Sequence, residues 1–221
     1  MNEIVFHPRV LENRDWASIL FIVAFALIAF SKSVFEIRFI DFLKLIVSDK
    51  YLKIYRDSSH LLSGFNIILF IIQVVSLSFF IQLTLHHFGF VSKTDWIVFI
   101  QINTLILFFI LSKFLIEMII STSFNIEEFA ELYNLQKVSY RTYIGLLILP
   151  VDVILFYSNN SSKFLILFFI AIILIINTLT YILSLKNYQN LIFGKLFYFI
   201  LYLCALEIAP YYFIYYWFTK S

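Results

Sequence analysis

Long apolar runs alternate with short polar breaks along this chain. A helix needs about 20 mostly apolar residues to cross a bilayer. Six runs approach that length, at about 16–31, 61–85, 96–120, 142–157, 164–185 and 196–218. The first, Trp16 to Phe30 or slightly beyond, is the shortest and the fifth the cleanest. Backbone polar groups in lipid must bond within their own segment, so the runs predict helices. A membrane β-barrel would show alternation over strands of about ten residues, and the chain shows none. The expected fold is all-α: a single polytopic membrane domain over 1–221, with about six transmembrane helices and one or two interfacial amphipathic helices.

Two polar stretches break the simple pattern. The link from Ser33 to Arg56 carries Glu36, Arg38, Asp41 and Lys44 among apolar residues. On a helix these charges share one side, with Phe35, Phe39, Phe42, Leu43 and Ile46 largely opposite. That pattern fits a helix lying in the membrane interface (33–56). It equally fits a hydrophobic connector packed on the bundle. The second stretch, 123–134, holds Glu127, Glu128 and Glu131. Asn125 with Glu128 three residues later resembles a capping box, and Ile126, Phe129, Ala130 and Tyr133 share a face. This predicts a short acidic amphipathic helix emerging from the third span.

Composition supports the membrane reading. The 221 residues are 62% hydrophobic and 14% charged, against about 45–50% apolar and about 25% charged in ordinary globular domains. A net charge of +2 is too small to argue for nucleic acid. The single cysteine, Cys204, excludes an intrachain disulfide. The lead-in to the first run mixes Arg9 and Arg14 with Glu3, Glu12 and Asp15, whereas a secretory leader is simply positive. The run is therefore expected to be a retained helix.

Lysine and arginine in the connections set the expected orientation. The side with both termini holds Arg9, Arg14, Lys93, Lys163 and Lys220, five in all. The other side holds ten, namely Lys32, Arg38, Lys44, Lys50, Lys53, Arg56, Lys137, Arg141, Lys186 and Lys195, six of them between Lys32 and Arg56. The count favours the first, third and fifth loops in the cytoplasm and both termini outside. Trp16, Trp96 and Trp217 fall at span ends on the terminus-bearing side, as an aromatic belt predicts.

Ionisable residues within the spans are the candidate functional groups. A charge at the centre of a spanning helix costs roughly 2.5–3.5 kcal/mol on insertion scales. Glu207 lies eleven residues into the sixth run, roughly 16 Å deep, with Pro210 three residues on. Asp152 lies ten residues into the fourth run, after Pro150. Each proline frees the carbonyl four residues back, those of Leu206 and Leu146. Lys113, about 25 Å from Trp96, is expected to snorkel, with Glu117 one turn on as a natural partner. Gln73, Gln82, Asn103 and Asn177 are the neutral polar groups at hand. One reading makes Asp152 and Glu207 a proton or ion relay. The other makes them protonated carboxyls that lock the bundle. Only four glycines and no internal repeat favour the lock, because alternating-access transporters break helices at Gly or Pro in matching halves.

Other candidates are weaker. His86 and His87 are adjacent and so point to different sides of a helix, a poor metal pair. No catalytic motif, metal site or cofactor is expected. Ala17, Ala24 and Ser31 recur every seven residues on the first span. Small residues on one face predict a close helix contact, within the chain or with a partner. The segment 123–134, with Glu127, Glu128 and Glu131, is a second candidate docking surface.

The motifs ENRDW (12–16), KIYRD (53–57), QKVSYRTYIGLLILP (136–150) and ILYLCALEIAP (200–210) occur in an order that resembles a family of uncharacterised multi-pass inner-membrane proteins, a domain of unknown function, of Bacteroidota. The last motif carries Glu207 and Pro210. The resemblance implies a multi-pass protein of the bacterial inner membrane and does not imply any particular activity. The leading functional expectation is a non-enzymatic subunit of a multiprotein membrane complex, in a setting such as envelope export or biogenesis, with the lipid bilayer and other inner-membrane proteins as partners. The alternative is a small proton- or ion-coupled transporter or channel subunit using the intramembrane carboxylates. An enzyme acting on lipid headgroups through His86, His87 or the 33–56 link is the third.

Overall fold

A computed structural model describes residues 14–46, 50–55, 63–123, 127–158 and 166–176, with the isolated positions 178 and 216. Among them every regular element is helical. The helices are α1 (Asp15–Val34), α2 (Glu36–Leu43), α3 (Lys50–Ile54), α4 (Gly64–His87), α5 (Trp96–Ser123), α6 (Glu127–Tyr157) and α7 (Ile166–Ile176). Among the described residues four helices are long and apolar enough to cross a membrane: α1, α4, α5 and the Asn134–Tyr157 part of α6. They overlap the first four predicted runs. Helix α7 covers the first half of the fifth run, while the rest of that run and nearly all of the sixth lie outside the described residues.

The four helices alternate in direction. One end of the bundle gathers the start of α1, the α4–α5 loop and the end of α6. There the Trp16 indole Nε1 donates to the Thr94 carbonyl at 3.1 Å. Lys93 Nζ donates to the Ser158 carbonyl at 3.1 Å, and the hydroxyls of Ser18 and Tyr157 are hydrogen-bonded. Gly89 ends α4 with φ 80°, a left-handed conformation that glycine adopts without penalty. Asp95 Oδ1 then accepts the Ile97 amide at 2.9 Å and starts α5, the usual role of an aspartate before a helix.

Helix α4 is the centre of the bundle, with α6 as its principal neighbour and α1 and α5 flanking it. Aromatic packing joins the layers. Phe21 of α1 stacks on Phe79 of α4 at 4.3 Å between ring centroids, and Phe79 meets Phe99 of α5 at 4.4 Å. Ala17, Ala24 and Ser31 are buried on the inner face of α1. The seven-residue stripe therefore serves a contact within the chain, because a small side chain lets α1 approach its neighbours closely. Its outer face presents Ile19, Ile22 and Phe30.

Two boundaries differ from the pattern-based expectation. The polar stretch 123–134 is not a separate short helix: residues 127–157 form one continuous helix, running through Pro150. The stretch around 134–142 looks like a connection because it is polar. In the structure Asn134, Gln136, Ser139 and Thr142 are buried, so the polar side of α6 faces the bundle rather than water. The 33–56 link is also not one helix. It folds as α2, a 3₁₀ turn at Lys44–Ile46 and α3, and packs on the bundle through Phe39, Phe42, Leu45 and Tyr51 against Phe65, Leu69 and Ile72. Its charges do not share a wet face. Asp41 is buried, while Ile37 is 77% exposed. Arg38 lies over the Tyr55 ring at 4.5 Å and the Phe65 ring at 4.9 Å, where a guanidinium is attracted by the ring faces.

Candidate functional site

The α4–α6 contact carries the first group of polar side chains. Gly145 of α6 meets α4 at Gln73: a Cβ built on Gly145 would lie 2.9 Å from the Gln73 Cα. Only glycine permits that approach, and it brings neighbouring polar residues into register. Thr142 Oγ1 donates to Gln73 Oε1 at 2.8 Å, both buried. Two turns of α6 beyond Gly145, Ser76 Oγ donates to Asp152 Oδ2 at 2.9 Å. Asp152 has 0% exposure, and its Oδ1 has no hydrogen-bond partner among the described residues. Ser76 stands midway along α4, so Asp152 lies near the middle of the bundle's height, as its position in the fourth run predicts. Pro150 sits at an exposed position of α6.

Neutral polar residues of the spans are used in the same way. Ser78 Oγ donates to Asn103 Oδ1 of α5 at 3.1 Å. Gln82 Nε2 donates to the carbonyls of Ser92 and Asp95 at 3.1 and 2.8 Å, holding the α4–α5 loop. His86 Nδ1 is 2.9 Å from the Val91 carbonyl in that loop. Among the described residues, no group of three His, Cys, Asp or Glu side chains could hold a metal ion.

The second group is charged and lies between α4, α5 and α6. Lys113 and Glu117 of α5 are buried. Lys137 Nζ of α6 forms a salt bridge with Glu117 Oε1. These side chains, with Asn134 and Arg141, line the polar end of a cavity of about 230 Å³. The remaining wall is apolar, formed by Ile67, Phe70, Ile110, Leu111 and Phe114. Asn66 also lines it and joins it to the link: Asn66 Oδ1 accepts from Arg38 at 3.4 Å and from the Tyr51 hydroxyl at 3.3 Å. Burial pushes the Tyr51 hydroxyl above its ordinary range, and the Arg38 guanidinium opposes that shift. Tyr51 therefore stays a donor at neutral pH.

Pattern reading named Asp152, Lys113 and Glu117 but missed most of their surroundings. Ser76, Lys137, Arg141 and Thr142 are the additions. Lys137 and Arg141 read as loop charges until α6 is seen to run through them. Gln73 and Ser76, three residues apart in an apolar run, were the legible signal for a polar stripe. Glu127 is exposed on the first turn of α6, and Glu128 and Glu131 belong to the same helix. Glu207 and Pro210 lie outside the described residues, as does any pairing of Glu207 with Asp152.

No curated protein and no solved structure matches the chain. The sequence profile of a family described as a domain of unknown function, DUF4271, matches residues 17–218. That match takes in all four long apolar helices together with both polar groups, and the chain belongs to this uncharacterised family.

Proposed function

We propose that this protein is a non-enzymatic, multi-pass subunit of a multiprotein complex in a bacterial inner membrane. The observation that carries the reading is the sealed Asp152–Ser76 contact. The carboxyl is enclosed between α4 and α6 at 0% exposure, beside the Gly145–Gln73 crossing. A carboxyl built into a tight helix contact serves cohesion better than ion passage, since a relay group needs successive polar partners along a path. The bundle then offers largely apolar outer faces on α1 and α5 to lipid and to neighbouring subunits. Its orientation follows the basic residues: the link with Arg38 and Lys44 faces the cytoplasm, and the α4–α5 loop faces the periplasm.

Purification of the tagged protein from its native membrane in mild detergent tests this, with mass spectrometry of what accompanies it. A stoichiometric set of companions supports the subunit reading, and a solitary protein overturns it. The runner-up, a proton- or ion-coupled transporter subunit, draws on Asp152 Oδ1, which has no hydrogen-bond partner among the described residues. Asp152→Asn separates the two. A subunit keeps its fold and its companions, whereas a relay keeps its fold and loses proton-coupled flux.

A further inference from the structure

The cavity between α4, α5 and α6 combines two chemistries in one opening. Among the described residues its polar end is net basic, with Lys113, Lys137 and Arg141 beside the acid Glu117. Glu117 is engaged by Lys137, and Arg141 makes no hydrogen bond or ion pair among the described residues. Its other wall is apolar and opens sideways: the rim residues Ile67 and Leu111 are 48% and 46% exposed. A side opening on a spanning helix faces hydrocarbon. Height agrees as well. About 20 residues from Trp96 cross a hydrocarbon core of ~30 Å and reach about residue 116. Lys113 and Glu117 therefore straddle the level where acyl chains give way to phosphates, at the end of the bundle that bears the basic link.

We infer that this cavity binds one anionic phospholipid. Its phosphate sits at Arg141 and Lys113, and an acyl chain lies along Phe70, Leu111 and Phe114. A phosphate accepts charge-assisted hydrogen bonds from guanidinium and ammonium groups. The Glu117–Lys137 pair holds one ammonium beside the site and limits its net charge, which suits a singly charged headgroup. A soluble anion would gain nothing from the apolar wall. This inference is independent of the subunit reading.

The test uses the full-length protein, stripped of lipid in neutral detergent and titrated with short-chain phosphatidylglycerol, phosphatidylcholine or inorganic phosphate. Binding is read by native mass spectrometry and the unfolding midpoint by thermal shift. Phosphatidylglycerol is expected to bind about tenfold tighter than phosphatidylcholine, and Arg141→Gln to remove that preference, the effect of one lost charge-assisted bond. Leu111→Trp, at the exposed rim, is expected to weaken phosphatidylglycerol binding while leaving the unfolding midpoint of the lipid-free protein in place. If Arg141→Gln does not fold, Leu111→Trp carries the decision. Equal binding of the two lipids overturns the inference, as does unchanged binding in the folded variants. Displacement of phosphatidylglycerol by inorganic phosphate at equal concentration overturns the lipid in favour of a soluble phosphate.

Discussion

Ser76 Oγ and Asp152 Oδ2 are hydrogen-bonded at 2.9 Å across the α4–α6 contact, with no exposure at either residue. A buried group that loses its partner costs about 1–3 kcal/mol. Ser76→Ala leaves the carboxyl without its described partner, so it should destabilise the protein by that amount. Asp152→Asn keeps a carbonyl oxygen that can accept from Ser76 and should change stability by less. Unfolding midpoints in one detergent compare the two. A larger loss for Asp152→Asn than for Ser76→Ala would mean that ionised Asp152, rather than the hydrogen bond, holds the contact.

The crossing at Gly145 makes a sharper claim. A methyl group there would lie 2.9 Å from backbone Cα of Gln73, which cannot move aside as a flexible side-chain tip could. Gly145→Ala should cost about 1–3 kcal/mol, the range for overpacking, and loosen the Thr142–Gln73 bond. Gly64 is the internal control. A Cβ there meets only the Phe35 ring at an ordinary 3.7 Å, and alanine is the better helix former. Gly64→Ala should be neutral or slightly stabilising by thermal unfolding. Equal losses at both glycines would contradict the close crossing.

Periodicity made the helices legible, because a run of twenty apolar residues has few other folds in lipid. It failed where polarity stood in for exposure. Gln136 and Ser139 fell between the predicted elements and looked like a connection, yet with Asn134 and Thr142 they form the inward side of α6. In a bilayer the outside is apolar, so a polar residue gains more by facing the bundle than by facing lipid. The same inversion applies to Asp41 of the 33–56 link, which is buried, in keeping with the reading of that link as a connector packed on the bundle rather than as an interfacial helix. Asp152 and Glu117 were conspicuous as charges in apolar runs. Their partners Ser76 and Lys137 were not, because a serine in a spanning helix is unremarkable and a lysine three turns into an unrecognised helix reads as loop.

Buried Glu117 and partly buried Lys137 form an ion pair, and removing one member of a pair withdrawn from water is destabilising, by up to about 3–5 kcal/mol when burial is complete. Glu117→Gln should approach that range, since it removes the acid that pairs with Lys137 among the described residues. Lys137→Gln should be comparable, and the double substitution should lose less than the sum of the singles. A coupling energy of about 1–3 kcal/mol from that double-mutant cycle, little changed by salt because the pair is shielded, is the expected result. Strict additivity would show that the pair contributes nothing beyond its separate members.

The alternation of α1, α4, α5 and α6 leads to a test of orientation. Ser92 lies in the loop between α4 and α5, and Lys44 lies at the other end, in the 3₁₀ turn of the link. Both are exposed, so cysteines placed there, singly and in a Cys204→Ala background, should react with thiol reagents. The basic residues of the link favour the cytoplasmic side. An impermeant reagent added to intact cells whose outer membrane has been made permeable should therefore label Ser92→Cys and spare Lys44→Cys until the inner membrane is opened. The reverse pattern would invert the orientation and put the basic end of the cavity in the periplasmic leaflet. Labelling of both from outside would contradict the alternation itself, because the two positions are separated by the single crossing of α4.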